Sequence, residues 1–262
     1  MVMDLVDAVF RRKSTRNYTD DVVDVGKVDS LLSGTHSLLG VDVAVLVVDG
    51  SDLHDEMDGV VGDYGKVVAP RYFVLVSEEG DWGAVASGYF GEKLVLELTK
   101  HGVASCWVGE FGDRDNISDF LGCGDRVIHA LIAYGAPEGG SVYREAGAAS
   151  RKDISELIID GDSYLSRWRE VLDVVKYAPS SINSQPWRFV LKEKQIDLYI
   201  KVGGLKKKIL GLVGDIQRLN LIDSGIALKH LEVGMDNPKI VRLDLERDLE
   251  KFRYIASVVE KN

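Results

Sequence analysis

Cysteine is scarce, with Cys106 and Cys123 the only two in 262 residues. They are too few and too far apart for a zinc framework or a disulfide scaffold, so both are expected to be reduced thiols. Metal-ligand spacing is missing as well. His36, His54, His101, His129 and His230 form no such pattern, and His54-Asp55-Glu56 lacks a second histidine one helical turn on, so each histidine reads as structural and no metal is expected. No apolar run approaches the roughly 18 residues of a membrane span. The longest, Val41 to Val48, is interrupted by Asp42 and reads as a buried strand. Met-Val-Met-Asp at the start carries no basic region followed by an apolar stretch and a small-residue cleavage site, so a cytoplasmic location is the expectation. An excess of positive charge is also absent. With 42 Asp+Glu against 32 Lys+Arg the formal charge is -10, which disfavours nucleic acid and anionic lipid as partners. An anionic ligand must therefore meet a local cluster of cations. What is present, 45% hydrophobic and 28% charged residues, is ordinary for a globular enzyme, and the length allows one large domain or two small ones.

Periodicity then organises the chain. Leu5, Val6, Val9 and Phe10 predict an amphipathic helix over residues 3 to 13 that closes on Arg11, Arg12 and Lys13. Strands are predicted at Val41 to Val48, Tyr72 to Val76, Ala104 to Val108 and Val127 to Tyr134. A long helix is expected from about Tyr89 to His101, stopped by Gly102, and a short one near Ile117 to Leu121. A loop at Gly139 to Ser150 leads to a boundary near residue 158, giving parts 1–158 and 159–262. The second part reads as a helix at Ser163 to Tyr177 capped by Asp162 or Ser163 and stopped by Pro179. Strands at Trp187 to Leu191 and Gln195 to Lys201, a helix at Asp215 to Val233, and strands at 239 to 244 and 254 to 259 complete it. Both parts share the order helix, loop, strand pair, long helix, glycine, strand, which suggests an internal duplication. Laying Leu31 on Val174 without gaps places Ser37 on Ser180 and Val45 to Val47 on Arg188 to Val190.

Two segments carry candidate chemistry. Arg12, Lys13, Ser14, Thr15, Arg16, Asn17 and Tyr18 offer guanidinium groups and a hydroxyl at alternate positions, a set that can satisfy a phosphate monoester or simply form a solvated basic helix end. Ala178 to Phe189 reads Ala-Pro-Ser-Ser-Ile-Asn-Ser-Gln-Pro-Trp-Arg-Phe. Two prolines fix that backbone, and short polar side chains either present donors and acceptors to a polar ring or merely terminate a helix. A third cluster, Lys206 to Lys208 near Gly203 and Gly204, has no following Gly-Lys-Ser/Thr and reads as a solvated loop. Trp82, Trp107, Trp168 and Trp187 read as core residues, with Trp107 the one that could approach a ligand.

Together the first two segments resemble the flavin-dependent nitroreductase family. Its N-terminal motif is similar to Arg12, Lys13, Ser14, Arg16 and Tyr18, with Lys13 where arginine or histidine is usual, and its later loop matches Ala178 to Phe189 at every defined position. The resemblance extends to Gly102 through Phe111 and to Arg151, Lys152, Ile154 and Glu156. It departs where the polar loop should follow the first motif, because Ser33 to Gly40 lacks that signature. The chain thus resembles the fused, TM-type subgroup, as does Asp223 to Glu232. The resemblance implies an α+β nitroreductase-like fold with mostly antiparallel central sheets flanked by helices, built from two degenerate halves in one chain that mimic a dimer. In the family's dimer one subunit supplies phosphate ligands and the other the polar loop, so the two surviving motifs would complete a single FMN site. Arg12, Lys13, Ser14, Arg16 and Arg151 would then hold the phosphate, while Pro179, Ser180, Ser181, Asn183 and Gln185 would contact ribityl or ring atoms. Backbone groups of Val108 and Gly109 would approach the flavin N5. No catalytic side chain is implied, because chemistry belongs to the cofactor. The implied activity is reduction of a nitroaromatic, quinone or similar planar small molecule with NADH or NADPH, in a monomer or weak homo-oligomer. The alternatives are a flavin-binding or scavenging protein with little turnover, and a scaffold that has lost FMN.

Overall fold

The computed structural model describes residues 3–21, 23, 26, 32, 36–57, 67–201, 216–243, 249 and 251–261. The Lys206 to Lys208 cluster and the Ser33 to Thr35 part of the altered loop lie outside these residues. The chain divides into two compact units, Met1–Ala148 and Ala149–Asn262. The division falls before Ala149 and not after residue 158, because the strand Ile158–Asp160 pairs into the second sheet and the short helix Ile154–Leu157 leads directly into it.

The first unit opens with helix α1 (Leu5–Arg11), capped by Asp4, whose side chain accepts from the Asp7 N–H at 2.7 Å. Of its apolar positions Val9 is buried, with Ala8 beside it, while Val6 is exposed. There follow β1 (His36–Leu38), β2 (Val41–Asp49), the one-turn helix α2 (Gly50–Leu53), β3 (Arg71–Ser77), α3 (Asp81–Lys100), β4 (Ala104–Val108), α4 (Arg114–Phe120) and β5 (Val127–Gly135). The sheet runs β1-β2-β3-β5-β4, antiparallel throughout. Strand β2 is only half-buried, with Val43 and Val48 inside and Val47 45% exposed, which corrects the expectation of a buried strand. Helix α3 begins two turns earlier than its apolar pattern suggested. The extra turns hold Gly83, Ala84, Ala86, Ser87 and Gly88, all buried, and small residues show no apolar stripe when they are packed on every side. One face of the sheet closes over a core that includes Tyr72, Val74, Val76, Cys106, Val108, Phe111, Ile117 and Leu131. On the other, α3 lies so close that a Cβ on Gly91 would sit 2.2 Å from the Trp107 ring and 2.6 Å from Leu75.

The second unit contains α5 (Ile154–Leu157), β6 (Ile158–Asp160), α6 (Leu165–Lys176), β7 (Trp187–Lys192), β8 (Gln195–Lys201), α7 (Ile216–Gly234), β9 (Pro238–Val241) and β10 (Phe252–Glu260). A 3-10 turn, Asp162–Tyr164, leads into α6, so neither expected residue caps that helix with its side chain. The helix still ends just ahead of Pro179, and Trp168 donates through Nε1 to the Lys192 carbonyl at 2.7 Å. Helix α7 is buried continuously from Leu221 to Leu231 and not along one stripe. His230 within it lies against the Val174 carbonyl at 3.2 Å.

The second sheet runs β6-β7-β8-β10-β9, which repeats the first position by position. The hairpin β2–β3 corresponds to β7–β8, the long helix α3 to α7, and the β5–β4 pair to β10–β9. The edges differ: β6 joins β7 in parallel, whereas β1 joins β2 antiparallel. In the first unit the stretch aligned with the Pro179 loop is instead a tight hairpin. His36–Leu38 pairs back on Val41–Val43 through Leu39 (φ 52) and Gly40 (φ 87), the left-handed pair that a two-residue turn needs.

Candidate functional site

Each unit assembles half of the candidate residues. In the first, α1 ends at Arg11 and the chain turns at Arg12 (φ -55, ψ 135) to run along the free edge of β4. Ser14 forms a parallel bridge with Ser105, and Thr15 N–H donates to the Ser105 carbonyl at 3.0 Å. Tyr18 anchors the far end, its hydroxyl donating to Thr15 O at 2.6 Å, and burial pushes its pKa upward. Lys13, Ser14 and Arg16 remain at least partly accessible, whereas Arg12 is only 3% exposed. The Arg12 Nη1 donates to Ser14 Oγ at 3.4 Å, its Nε has no acceptor, and among the described residues it has no ion-pair partner. The neighbouring Thr15 Oγ1 is likewise buried without a partner. A buried guanidinium lacking an anion is costly, because desolvation is not offset by pairing. Cys106 lies alongside: burial raises its thiol pKa, while Arg16, Arg12 and a hydrogen bond with Ser14 oppose that rise. The arrangement suits a phosphate monoester, which supplies several acceptors at once.

Strand β4 connects this turn to the other first-unit candidates. Val108 ends the strand and Gly109 follows it, about 13 Å from Ser105 at some 3.3 Å per residue. Arg114, the first residue of α4, donates through Nη2 to Gly109 O at 2.7 Å and lies over the Phe111 ring at 4.4 Å. Trp107 is occupied by the fold, since its Nε1 donates to buried Glu92 at 2.9 Å.

In the second unit the polar loop forms a strained, braced turn. Ile182, Asn183 and Gln185 have φ of 46, 55 and 47, conformations that non-glycine residues seldom adopt. Ser181 N–H donates to both carboxylate oxygens of Asp223 at 3.1 and 3.2 Å, tying the loop to α7. Arg151 donates to Asn183 Oδ1 at 2.9 Å, so this basic residue joins the polar loop. Gln185, 2% exposed, accepts from Lys152 N–H at 2.9 Å and donates through Nε2 to Asn183 O and Oδ1, both at 3.2 Å. Its backbone N–H donates to Ser180 Oγ at 3.0 Å. The Gln185 amide therefore ties Asn183 of the loop to the Lys152 backbone. Pro179 is buried, and Ser180 and Ser181 are partly exposed at the loop's rim.

Sequence reasoning missed two supporting arginines, Arg114 and Arg144. The second donates to the last carbonyls of α1, yet it is 134 positions from Phe10 and lies in a loop with no periodic signal. No local pattern could have found it.

Comparison with solved structures shows the same architecture. A "putative nitroreductase" from Thermotoga maritima MSB8 matches 99% of this chain and 94% of its own length at 16% identity and a TM-score of 0.64. Shorter structures match about half of the chain. These include an FMN-dependent nitroreductase from Clostridium difficile R20291 (18% identity, 53% and 90% coverage, TM-score 0.45) and a Bacteroides fragilis NCTC 9343 nitroreductase with bound FMN (17%, 58% and 100%, TM-score 0.44). No curated protein matches. The repeated sheet order and the full-length match accord with the sequence profile that covers residues 4–235, and the chain belongs to the family described as "Putative TM nitroreductase".

Proposed function

We propose that the protein is an FMN-dependent oxidoreductase that takes electrons from NADH or NADPH and reduces a nitroaromatic, quinone or similar planar acceptor. The observation that carries this reading is the buried Arg12 guanidinium, with an Nε that has no acceptor, in a turn that also offers Ser14 and Arg16. Arg12, Ser14 and Arg16, with Lys13 beside them, would hold the phosphate; Val108 and Gly109 would flank the ring. In the second unit Ser180, Ser181 and Asn183 would supply polar contacts, while Pro179, Arg151 and Gln185 would set the loop's shape. Bound FMN would pass electrons from the nicotinamide to the acceptor, so no acidic or basic side chain is needed. One chain holds both motifs, and the reading requires no second copy.

The chain should purify with stoichiometric FMN, and Ser14→Ala with Arg16→Ala should lower retention while far-UV circular dichroism stays unchanged. A colourless protein that ignores added FMN would overturn the reading. Anaerobic mixing with NAD(P)H should bleach the flavin within seconds; flavin that stays oxidised would leave a binding protein and no reductase. Asn183→Ala tests the second unit, and undiminished FMN retention in that variant would remove the loop from the site.

A further inference from the structure

The Arg12–Arg16 turn has no regular structure of its own, and something must fix how it leaves α1. A seven-residue helix ends with carbonyls that lack intrahelical partners. Arg144 meets three of them. Its Nε donates to Phe10 O at 3.1 Å, its Nη2 to Val9 O at 3.2 Å, and its backbone N–H to Arg11 O at 3.0 Å. Adjacent Tyr143 forms an antiparallel bridge with Arg12, and Gly147 N–H donates to Phe10 O at 3.4 Å. A cation at a helix C-terminus also complements the negative end of its dipole. The turn is thus pinned at both ends, by Arg144 at the helix and by Ser105 at the sheet, with the incompletely paired Arg12 between them.

We infer that Arg144 is a positioning residue: it fixes the last turn of α1 so that Arg12, Ser14 and Arg16 face one phosphate together. This rests on the FMN reading above. The guanidinium fork is needed because two carbonyls are bonded from different nitrogens, a geometry that a lysine ammonium cannot reproduce. Arg144 acts through the backbone, so its loss should be felt by a phosphorylated ligand and not by a flavin that lacks phosphate.

The test titrates the apo full-length chain with FMN and with riboflavin, following flavin fluorescence. Wild type should prefer FMN. Arg144→Ala should cut that preference on the order of tenfold, the scale of a displaced charge-assisted contact, with riboflavin affinity unchanged. Arg144→Lys, which keeps the charge and covers the case in which the alanine variant fails to fold, should show most of the same loss. Hydrogen exchange in the apo protein should quicken at the Thr15 amide. Variants that keep the wild-type FMN-to-riboflavin ratio, or that lose both ligands equally, would overturn the inference. So would lost FMN preference with unchanged Thr15 exchange, because Arg144 would then be a direct ligand. Wild type that fails to prefer FMN would instead sink the phosphate reading itself, and this inference with it.

Discussion

Replacing Gln185 with leucine asks whether its amide braces the loop or serves a ligand. The side chains are close in size, so the substitution removes polar contacts without opening a cavity. Three contacts disappear: Oε1 from Lys152 N–H, and Nε2 to Asn183 O and Oδ1. The Asn183 acceptors can turn to water because that residue is exposed, so their loss should cost about 0.5–1 kcal/mol. Lys152 N–H is held against a side chain that is 2% exposed, and stranding it should cost about 1–3 kcal/mol. Gln185→Leu should therefore destabilise the second unit by about 1.5–4 kcal/mol. Urea unfolding followed by tryptophan fluorescence is the assay, since Trp168 and Trp187 are both buried in that unit. A cost below about 0.5 kcal/mol for leucine would refute the reasoning and return the amide to a ligand-binding role.

Two further outcomes follow from packing and charge. Gly91→Ala should destabilise the first unit by about 1–3 kcal/mol, because its Cβ would fall 2.2 Å from the Trp107 ring and α3 must shift; a normal urea midpoint would contradict that contact. His36 has a pKa below its ordinary value of 6.5, through burial and then Lys93, opposed by a hydrogen bond with the Leu32 backbone. The unfolded chain therefore takes up the proton more readily, so the contribution is present above about pH 6.5 and is lost as pH falls. His36→Asn should flatten that part of the stability profile between pH 7.5 and 5.5, and parallel wild-type and variant curves would refute the assignment.

The strands were legible because alternation and β-branched runs are local: Ala104 to Val108 and Gln195 to Lys201 stand as read, and the other central strands differ by one or two residues at their ends. Where small residues replace an apolar stripe, as at Gly83 to Gly88, the early turns of α3 left no local signal. The short β6 joins the second sheet only through pairing with β7, and α5 leads directly into it, which is why the boundary lies ahead of the expected one. Of the candidate residues, the Arg12 to Tyr18 segment and the Pro179 loop were visible because their order of side chains is unusual for a helix end or a turn. Their supporting groups were not.

By itself the sequence determined the two halves and their order, the absence of metal-ligand spacing, and the two polar segments with their residue types, since periodicity, spacing and side-chain chemistry are properties of neighbours along the chain. Tertiary structure alone decided that the two sheets share one strand order, that Arg12 is buried with an unpaired Nε, that the Gln185 amide bonds the Lys152 backbone, and that Arg144 holds the end of α1. Each of these depends on groups brought together from distant positions, where burial and hydrogen-bond geometry, and not local propensity, set the outcome.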